Sequence, residues 1–450
     1  NTVLVKQEVV PFGHTEVIDK AVVATCTTTG LTEGKHCSVC NTVLVKQEVV
    51  ESGEHVSEID LPVEPTCTET GLSIGAHCSV CGTVLVEQEV TRAIGHSYED
   101  GECIWCGSKK PDTKEELEFT LSADGSSYSV TGIGSVTDSD IVIPSTYNGK
   151  PVTAIGDYAF VVYVAGGVAI TNTKYTSVTI PDSVTAIGKS AFYKCSGLKS
   201  ANIPDSVTSI GAYAFYCCEA LTSINIPYGI KTIEDYTFFT CSGLTGEIII
   251  PNSVTKIGNY AFGCCSGLTS IKIPAFVTSI GNCAFEACSG LTSIILPNLL
   301  TELGNYTFYN CSGITSIVIP DGVTIIGNGT FQNCSELARI TLHNGITSIG
   351  KSAFEECGKL TEVVIPEHVT SIGNRAFYNC TRLDKITIPV SVTSIGSEAL
   401  KYCHNMTNIR YNGTKAQWGE IEKGSGWYHY TGPYFVNCTD GYIKKADSYV

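Results

Sequence analysis

A unit of 23 residues recurs from about residue 178 to residue 411, and this period constrains the fold more than anything else in the chain. Its consensus reads Leu-Thr-Ser-Ile-x-Ile-Pro-x-x-Val-Thr-Ser-Ile-Gly-x-x-Ala-Phe-x-x-Cys-Ser-Gly. Prolines mark it at Pro181, Pro204, Pro227, Pro251, Pro274, Pro297, Pro320, Pro366 and Pro389, with His343 standing in once. Phenylalanines follow from Phe192 to Phe377, preceded by Phe160 and closed by Leu400, and one residue is inserted at Gly246. Each unit holds two short β-type runs, such as residues 223–226 and 207–210, and a proline ends the first. The apolar Leu221, Ile224, Ile226, Ile230, Ile233 and Phe238 of one unit can all point inward only if neighbouring units cover them. A lone unit therefore cannot fold, whereas a stack buries a continuous column of Ile and Phe. The period predicts a repeat solenoid, mainly β, with one parallel sheet built from the Ile-x-Ile segments. Gly211, Gly373 and their equivalents share one position, where a positive φ or a close backbone approach is expected.

Composition agrees with this reading. A chain of 450 residues exceeds one ordinary core. Charged residues are only 16% of it and it has one Met, which suits β-rich extracellular repeats better than a helical cytosolic enzyme. The net charge of −16 is uneven: residues 1–116 carry 8 Lys+Arg against 19 Asp+Glu, and the remainder 20 against 25. No basic stripe exists, which argues against nucleic acid as a partner. The longest apolar stretch, residues 159–170, falls short of the ~20 residues a membrane helix requires, so no membrane span is expected. Residues 1–10 repeat residues 41–50 letter for letter. The sequence thus opens inside a repeat, which leaves room for a signal peptide and further repeats upstream.

The Ile-Pro, Ser-Ile-Gly and Ala-Phe-x-x-Cys elements resemble the BspA-like family of leucine-rich repeats, over about residues 118–440. The resemblance implies a curved stack of about eleven 23-residue units with a parallel sheet on its concave side. It also implies a protein of microbial surfaces that adheres to host or microbial partners. Residues 118–156, with Tyr147-Asn-Gly-Lys-Pro-Val, look like the family's N-terminal cap. Residues 157–411 are the repeats, and residues 412–450, with Trp418, Trp427 and Cys438-Thr-Asp-Gly, look like the C-terminal cap.

A second period, of 41 residues, occupies residues 1–107. His14, Cys26, Cys37 and Cys40 recur as His55, Cys67, Cys78 and Cys81, then in shortened form as His96, Cys103 and Cys106. Three Cys and one His per unit form a known tetrahedral zinc set. Odd numbers also fit poorly with closed intra-unit disulfides. The long Cys-x10-Cys spacing and the Cys lost from the last unit leave disulfides and unmodified thiols open as alternatives. If metal is bound it is structural, with about two zinc ions expected. Residues 108–117 read as a charged linker.

Ten further cysteines, from Cys195 to Cys403, follow the 23-residue period. Each is expected to fill a small apolar slot behind its Phe and to stay reduced. Equivalent atoms on successive rungs lie ~4.8 Å apart, too far for the ~3.8 Å Cβ separation of a disulfide. Catalytic constellations are absent. His343, His368 and His404 sit at unrelated repeat positions and are expected as solvated side chains. No phosphate loop or dinucleotide fingerprint occurs.

Function is therefore expected on the solenoid surface, where the x of Ile-x-Ile and the Ser before it face solvent. Early rungs carry Ser200, Asn202, Ser223 and Asn225, which merely suit strands. Middle and late rungs depart from Ser and Thr, giving Glu247, Ile249, Lys272, Ile295, Val318, Arg339, Thr341, Glu362, Val364, Lys385 and Arg410. Apolar side chains beside arginine are the make-up of a binding patch, and a protein or glycan partner is expected. The spacing from Pro144 to Pro181 is 37 residues instead of 23. Its extra segment contains Val161, Val162 and Tyr163, which either add a strand over the open first rung or form a contact patch. A structural spacer is the alternative function; a surface hydrolase would need clustered carboxylates or a nucleophile–base pair.

Overall fold

The computed structural model describes every residue except 1–12, 14, 23, 25–29, 51–54, 67–68, 92–97, 100–101, 104, 108–116, 165–167, 432–433 and 445–450. The chain divides into two compact units, Asn1–Thr113 and Lys114–Val450.

In the larger unit the Ile-x-Ile runs stack in register as parallel strands. Asp140–Val142, Ser177–Thr179 and Ser200–Asn202 begin this ladder, and Glu362–Val364, Lys385–Ile388 and Asn408–Tyr411 continue it near the other end. The single sheet anticipated from sequence is an underestimate. Proline ends the first run by removing a ladder donor, the chain turns, and the Ser-Ile runs then build a second parallel ladder. That ladder includes Lys150–Ile155, Ala186–Ile187 and Ser209–Ile210, and later Ser348–Ile349, Ser371–Ile372 and Ser394–Ile395. The first ladder is interrupted where Asn225 lies. Its side-chain amide donates to the Ile203 carbonyl at 2.5 Å and its oxygen accepts the Ile203 N–H at 2.9 Å, replacing backbone pairing at that rung. Gly246, the inserted residue, follows with φ of +79°.

A third set of inter-turn bonds ties the loop that carries the Phe. Alternate N–H groups of Tyr213, Phe215 and Cys217 donate to the carbonyls of Asp235, Thr237 and Phe239 at 3.0, 2.9 and 2.8 Å. The glycine before this loop needs space and not a positive φ. A Cβ on Gly211 would lie 2.5 Å from the Lys189 nitrogen, and one on Gly373 2.5 Å from the Gly350 carbonyl carbon. The left-handed backbone falls instead on non-glycine residues, with Tyr213 at 60° and Cys217 at 56°. Such residues cost roughly 1–2 kcal/mol each, offset by the regular bonding their conformation permits.

The interior repeats as the sequence predicts. Phe160 to Phe377 form an unbroken buried stack, ring centroids 4.9–5.8 Å apart and planes 5–18° from parallel. The ladder cysteines lie beside it as buried free thiols. Each also donates its S–H to the carbonyl of the Phe in the preceding turn, as from Cys288 to Phe262 at 3.1 Å and from Cys311 to Phe285 at 2.9 Å. Cysteine is thus small enough for the slot and still satisfies a buried carbonyl.

Both ends are covered. At the start, Glu118–Leu121 pairs antiparallel with Tyr128–Gly132, which lies against Lys150–Ile155, and Phe119 stacks on Tyr147 at 4.0 Å. At the finish, helix Lys415–Glu420 begins with a capping box between Thr414 and Gln417. Trp418, Trp427 and Tyr434 are buried beneath the hairpin of Phe435–Cys438 with Gly441–Lys444.

Phe285→Ala should destabilise the solenoid by about 3–5 kcal/mol in chemical denaturation, because the cavity opens against both neighbouring rings. The thiol column makes a second prediction. Burial raises Cys195 from the ordinary 9.0 to about 12, so above pH ~9 the unfolded chain releases thiol protons that the folded chain retains. Stability is therefore complete below pH ~9 and falls as pH rises toward 12, and the melting temperature measured across that range checks it.

Candidate functional site

The strand period sends Ile248 and Ile250 inward and Glu247 and Ile249 outward, and the same alternation holds along the first ladder. Parallel register then aligns the outward residues into two columns. Ile249 neighbours Lys272, Val318 neighbours Thr341, and Thr387 links Val364 to Arg410. In the other column Ser316 neighbours Arg339 and Glu362 neighbours Lys385. All eleven residues named from sequence on this face are exposed. Four are apolar: Ile249 is 60% exposed, Ile295 84%, Val318 64% and Val364 58%. Phe276 and Leu299, two residues after their prolines, are exposed at one repeat position in adjacent turns. Sequence reasoning passed over them, although their place holds Ser, Gly or His in other units.

The insertion after Phe160 forms a hairpin of its own, Val162–Val164 pairing antiparallel with Val168–Ile170. It adds no strand to either ladder among the described residues, which speaks against the first of the two alternatives, a strand over the open first rung. Val161 and Val162 are half-buried and Tyr163 is exposed, and Lys194 Nζ donates to the Ala169 carbonyl at 3.0 Å.

Other features of the loop face were missed. The Asn259 Oδ1 accepts the Asn282 N–H at 2.8 Å, Asn282 does the same for Asn305 at 2.8 Å, and Asn305 for Asn328 at 2.7 Å. The signal was an Asn after the repeat glycine. Tyr213, Tyr236 and Tyr260 stack in one row and Tyr193, Tyr216 and Phe239 in a second. Glu355, buried, receives Arg375 at 2.6 Å, and the Arg375 guanidinium lies 3.9 Å from the Tyr378 ring centre. His343 is not solvated as expected. In its proline-like position Nδ1 accepts the Gly345 N–H at 3.0 Å, so Nε2 carries the proton and donates to the Val323 carbonyl at 3.0 Å.

In the smaller unit the two full cysteine repeats share one backbone. Glu16–Asp19 pairs with Gly34–Cys37 as Ser57–Asp60 pairs with Gly75–Cys78. Each Cys-x-x-Cys sits in a tight turn followed by a residue of positive φ, Asn41 at 56° and Gly82 at 74°. In the second repeat the ligand atoms of His55, Cys78 and Cys81 all lie within 4.8 Å of one another. His55 Nδ1 is 3.5 Å from Cys81 Sγ, and Thr83 Oγ1 is 3.2 Å from the same sulfur. Burial opposes ionisation of Cys78, but His55 and the backbone N–H groups of Val80 and Cys81 bring its thiol down to about 5. Cys37 and Cys40 hold the equivalent places in the first repeat, and Cys106 is exposed. His14, Cys26, Cys67 and His96 lie outside the described residues, and Cys103 is described only as part of the strand Glu102–Cys103. His36 and His77, absent from the sequence-based ligand set, pair with Asp19 and Asp60 at 2.8 and 2.7 Å.

Residues 166–292, 255–381 and 301–421 match the model of the BspA type leucine rich repeat region. The chain belongs to that family. Among solved structures, this BspA-type solenoid is similar to a leucine rich cell surface protein from Faecalibacterium prausnitzii, with 29% identity and a TM-score of 0.43 over 68% of this chain and 96% of that one. A leucine-rich repeat protein from Bacteroides ovatus is 26% identical, with a TM-score of 0.34 over 72% of this chain and 98% of its own. One from Eubacterium ventriosum is 20% identical, with a TM-score of 0.44 over 74% and 95%. No curated protein matches the chain.

Because the Ile295 side chain is 84% exposed and fills no part of the core, Ile295→Asp should change the stability of the BspA-type solenoid by less than about 0.5 kcal/mol in denaturant titration.

Proposed function

We propose that this chain is a non-enzymatic binding or adhesion protein of the cell surface, recognising a protein or glycan partner through the open face of the first ladder. The observation that carries this reading is the exposure of the apolar Ile249, Ile295, Val318 and Val364 at one repeat position, which in other turns holds Lys272 and Arg410, with Arg339 exposed two residues before that position. On early rungs the same positions hold Asn202 and Asn225, so strand formation does not require apolar residues there. Leaving them bare in water serves no packing purpose, whereas flat apolar surface edged with arginine is what binding interfaces use. The array supports this role physically, since stacked turns present side chains at fixed ~4.8 Å intervals on a surface that is already ordered before contact. Membership of the repeat family and a surface rich in short polar side chains support an extracellular setting. No helix among the described residues is long and apolar enough to cross a membrane.

Matrix-protein and glycan arrays probed with the full chain and with Ile295→Asp/Val318→Asp test the proposal. The expected result is a defined partner whose binding weakens at least about tenfold in the double variant, the change that ~1.4 kcal/mol produces. A chain that binds nothing, or a double variant that binds as well as the parent, would leave the solenoid a spacer for the smaller unit.

A further inference from the structure

We infer that His55, Cys78 and Cys81 supply three of the ligands of a structural zinc ion. The geometry of the three side chains supports it first. Tetrahedral zinc holds a thiolate at about 2.3 Å and an imidazole nitrogen at about 2.0 Å, which puts the two donor atoms about 3.5 Å apart. His55 Nδ1 and Cys81 Sγ are 3.5 Å apart, and the Cys78 sulfur lies with them inside a 4.8 Å limit. An ordinary Cys-x-x-Cys disulfide would draw the two sulfurs together and leave the imidazole no role.

The surrounding groups agree. Backbone N–H groups of Val80 and Cys81 point at the Cys78 sulfur, and the Thr83 hydroxyl at the Cys81 sulfur. Such donors stabilise ligating thiolates from outside the metal's own shell. The left-handed Gly82 closes the turn, and its N–H donates to the Cys78 carbonyl at 2.8 Å, so both sulfurs are presented from one rigid loop.

The need for a metal comes from packing. Among the described residues of the smaller unit, the buried hydrophobic side chains are Cys37, Ala76 and Cys78. Ile18, Val22, Val43, Ile59, Leu61 and Val84 are all more than half exposed. Two short hairpin units with so little core do not hold themselves together by burial, and a bound ion supplies the missing free energy directly. The metal is structural in this setting, fixing the hairpin Gly75–Cys78 with Val84–Val86 against the segment that carries His55.

The test uses the full chain, purified under reduction from zinc-supplemented culture. Elemental analysis should find zinc, and Cys78→Ser/Cys81→Ser should lose about one equivalent of it. His55→Ala should weaken retention against a chelator while the solenoid's melting transition stays unchanged, which shows that the variants fold. Cobalt exchanged into the parent should give the intense absorption of a tetrahedral site with sulfur-to-metal charge transfer, diminished in the cysteine variant. Zinc-free parent protein, an undiminished metal content in the double cysteine variant, or a Cys78–Cys81 disulfide found by mass spectrometry in the reduced preparation would each overturn the assignment.

Discussion

The backbones of successive solenoid turns approach closely enough to hydrogen-bond along two interrupted ladders and through the loop that carries the Phe, and most of this unit's architecture follows from that approach. Successive copies of a side chain are then held about 5 Å apart, close enough for a ring to cover a ring. A residue is buried by its own equivalents above and below, so the core grows along one axis without ever widening. The same approach explains why glycine stands at Gly211 and Gly373, where a methyl group would enter the preceding backbone. It also explains the choice of Cys behind each Phe, where a small side chain must still answer a buried carbonyl.

Most of the fold was legible because the constraint is periodic. Phe285 and Cys288 could be placed inside, and Ile249 and Val318 outside, from alternation and spacing alone. What escaped was set by local bonding that has no hydrophobic signature. The second β-type run of each unit was legible, as at residues 207–210, but that these runs stack into a ladder of their own is revealed only by inter-turn register. Left-handed backbone at Tyr213 and Cys217 could not be read from residue type, since neither favours that region. His343 looked solvated because a lone His gives no hint of a proline-like corner whose backbone groups it bridges. On the candidate face, sequence identified the ladder columns but not Phe276 and Leu299, which stand outside the strand period.

The two units solve the burial problem in different ways. Repetition gives the solenoid a covered core, and its ends are closed by the antiparallel strand Glu118–Leu121 and by the buried tryptophans Trp418 and Trp427. The cysteine repeats are short and acidic, few of their described apolar side chains are buried, and in the second repeat His55, Cys78 and Cys81 come together. The outward faces differ accordingly. The solenoid can afford exposed Ile and Val because its stability comes from elsewhere, and this separation lets one face vary in sequence from turn to turn without cost to the fold.

A double-mutant cycle on the phenylalanine column tests most directly whether stability is carried by contact between neighbouring turns. Phe262→Leu with Phe285→Leu, whose rings stack at 5.8 Å, should show a coupling energy within about 0.5–3 kcal/mol. Phe192→Leu with Phe377→Leu, at opposite ends of the stack, should be additive. Additivity in the adjacent pair, or equal coupling in both pairs, would contradict the account.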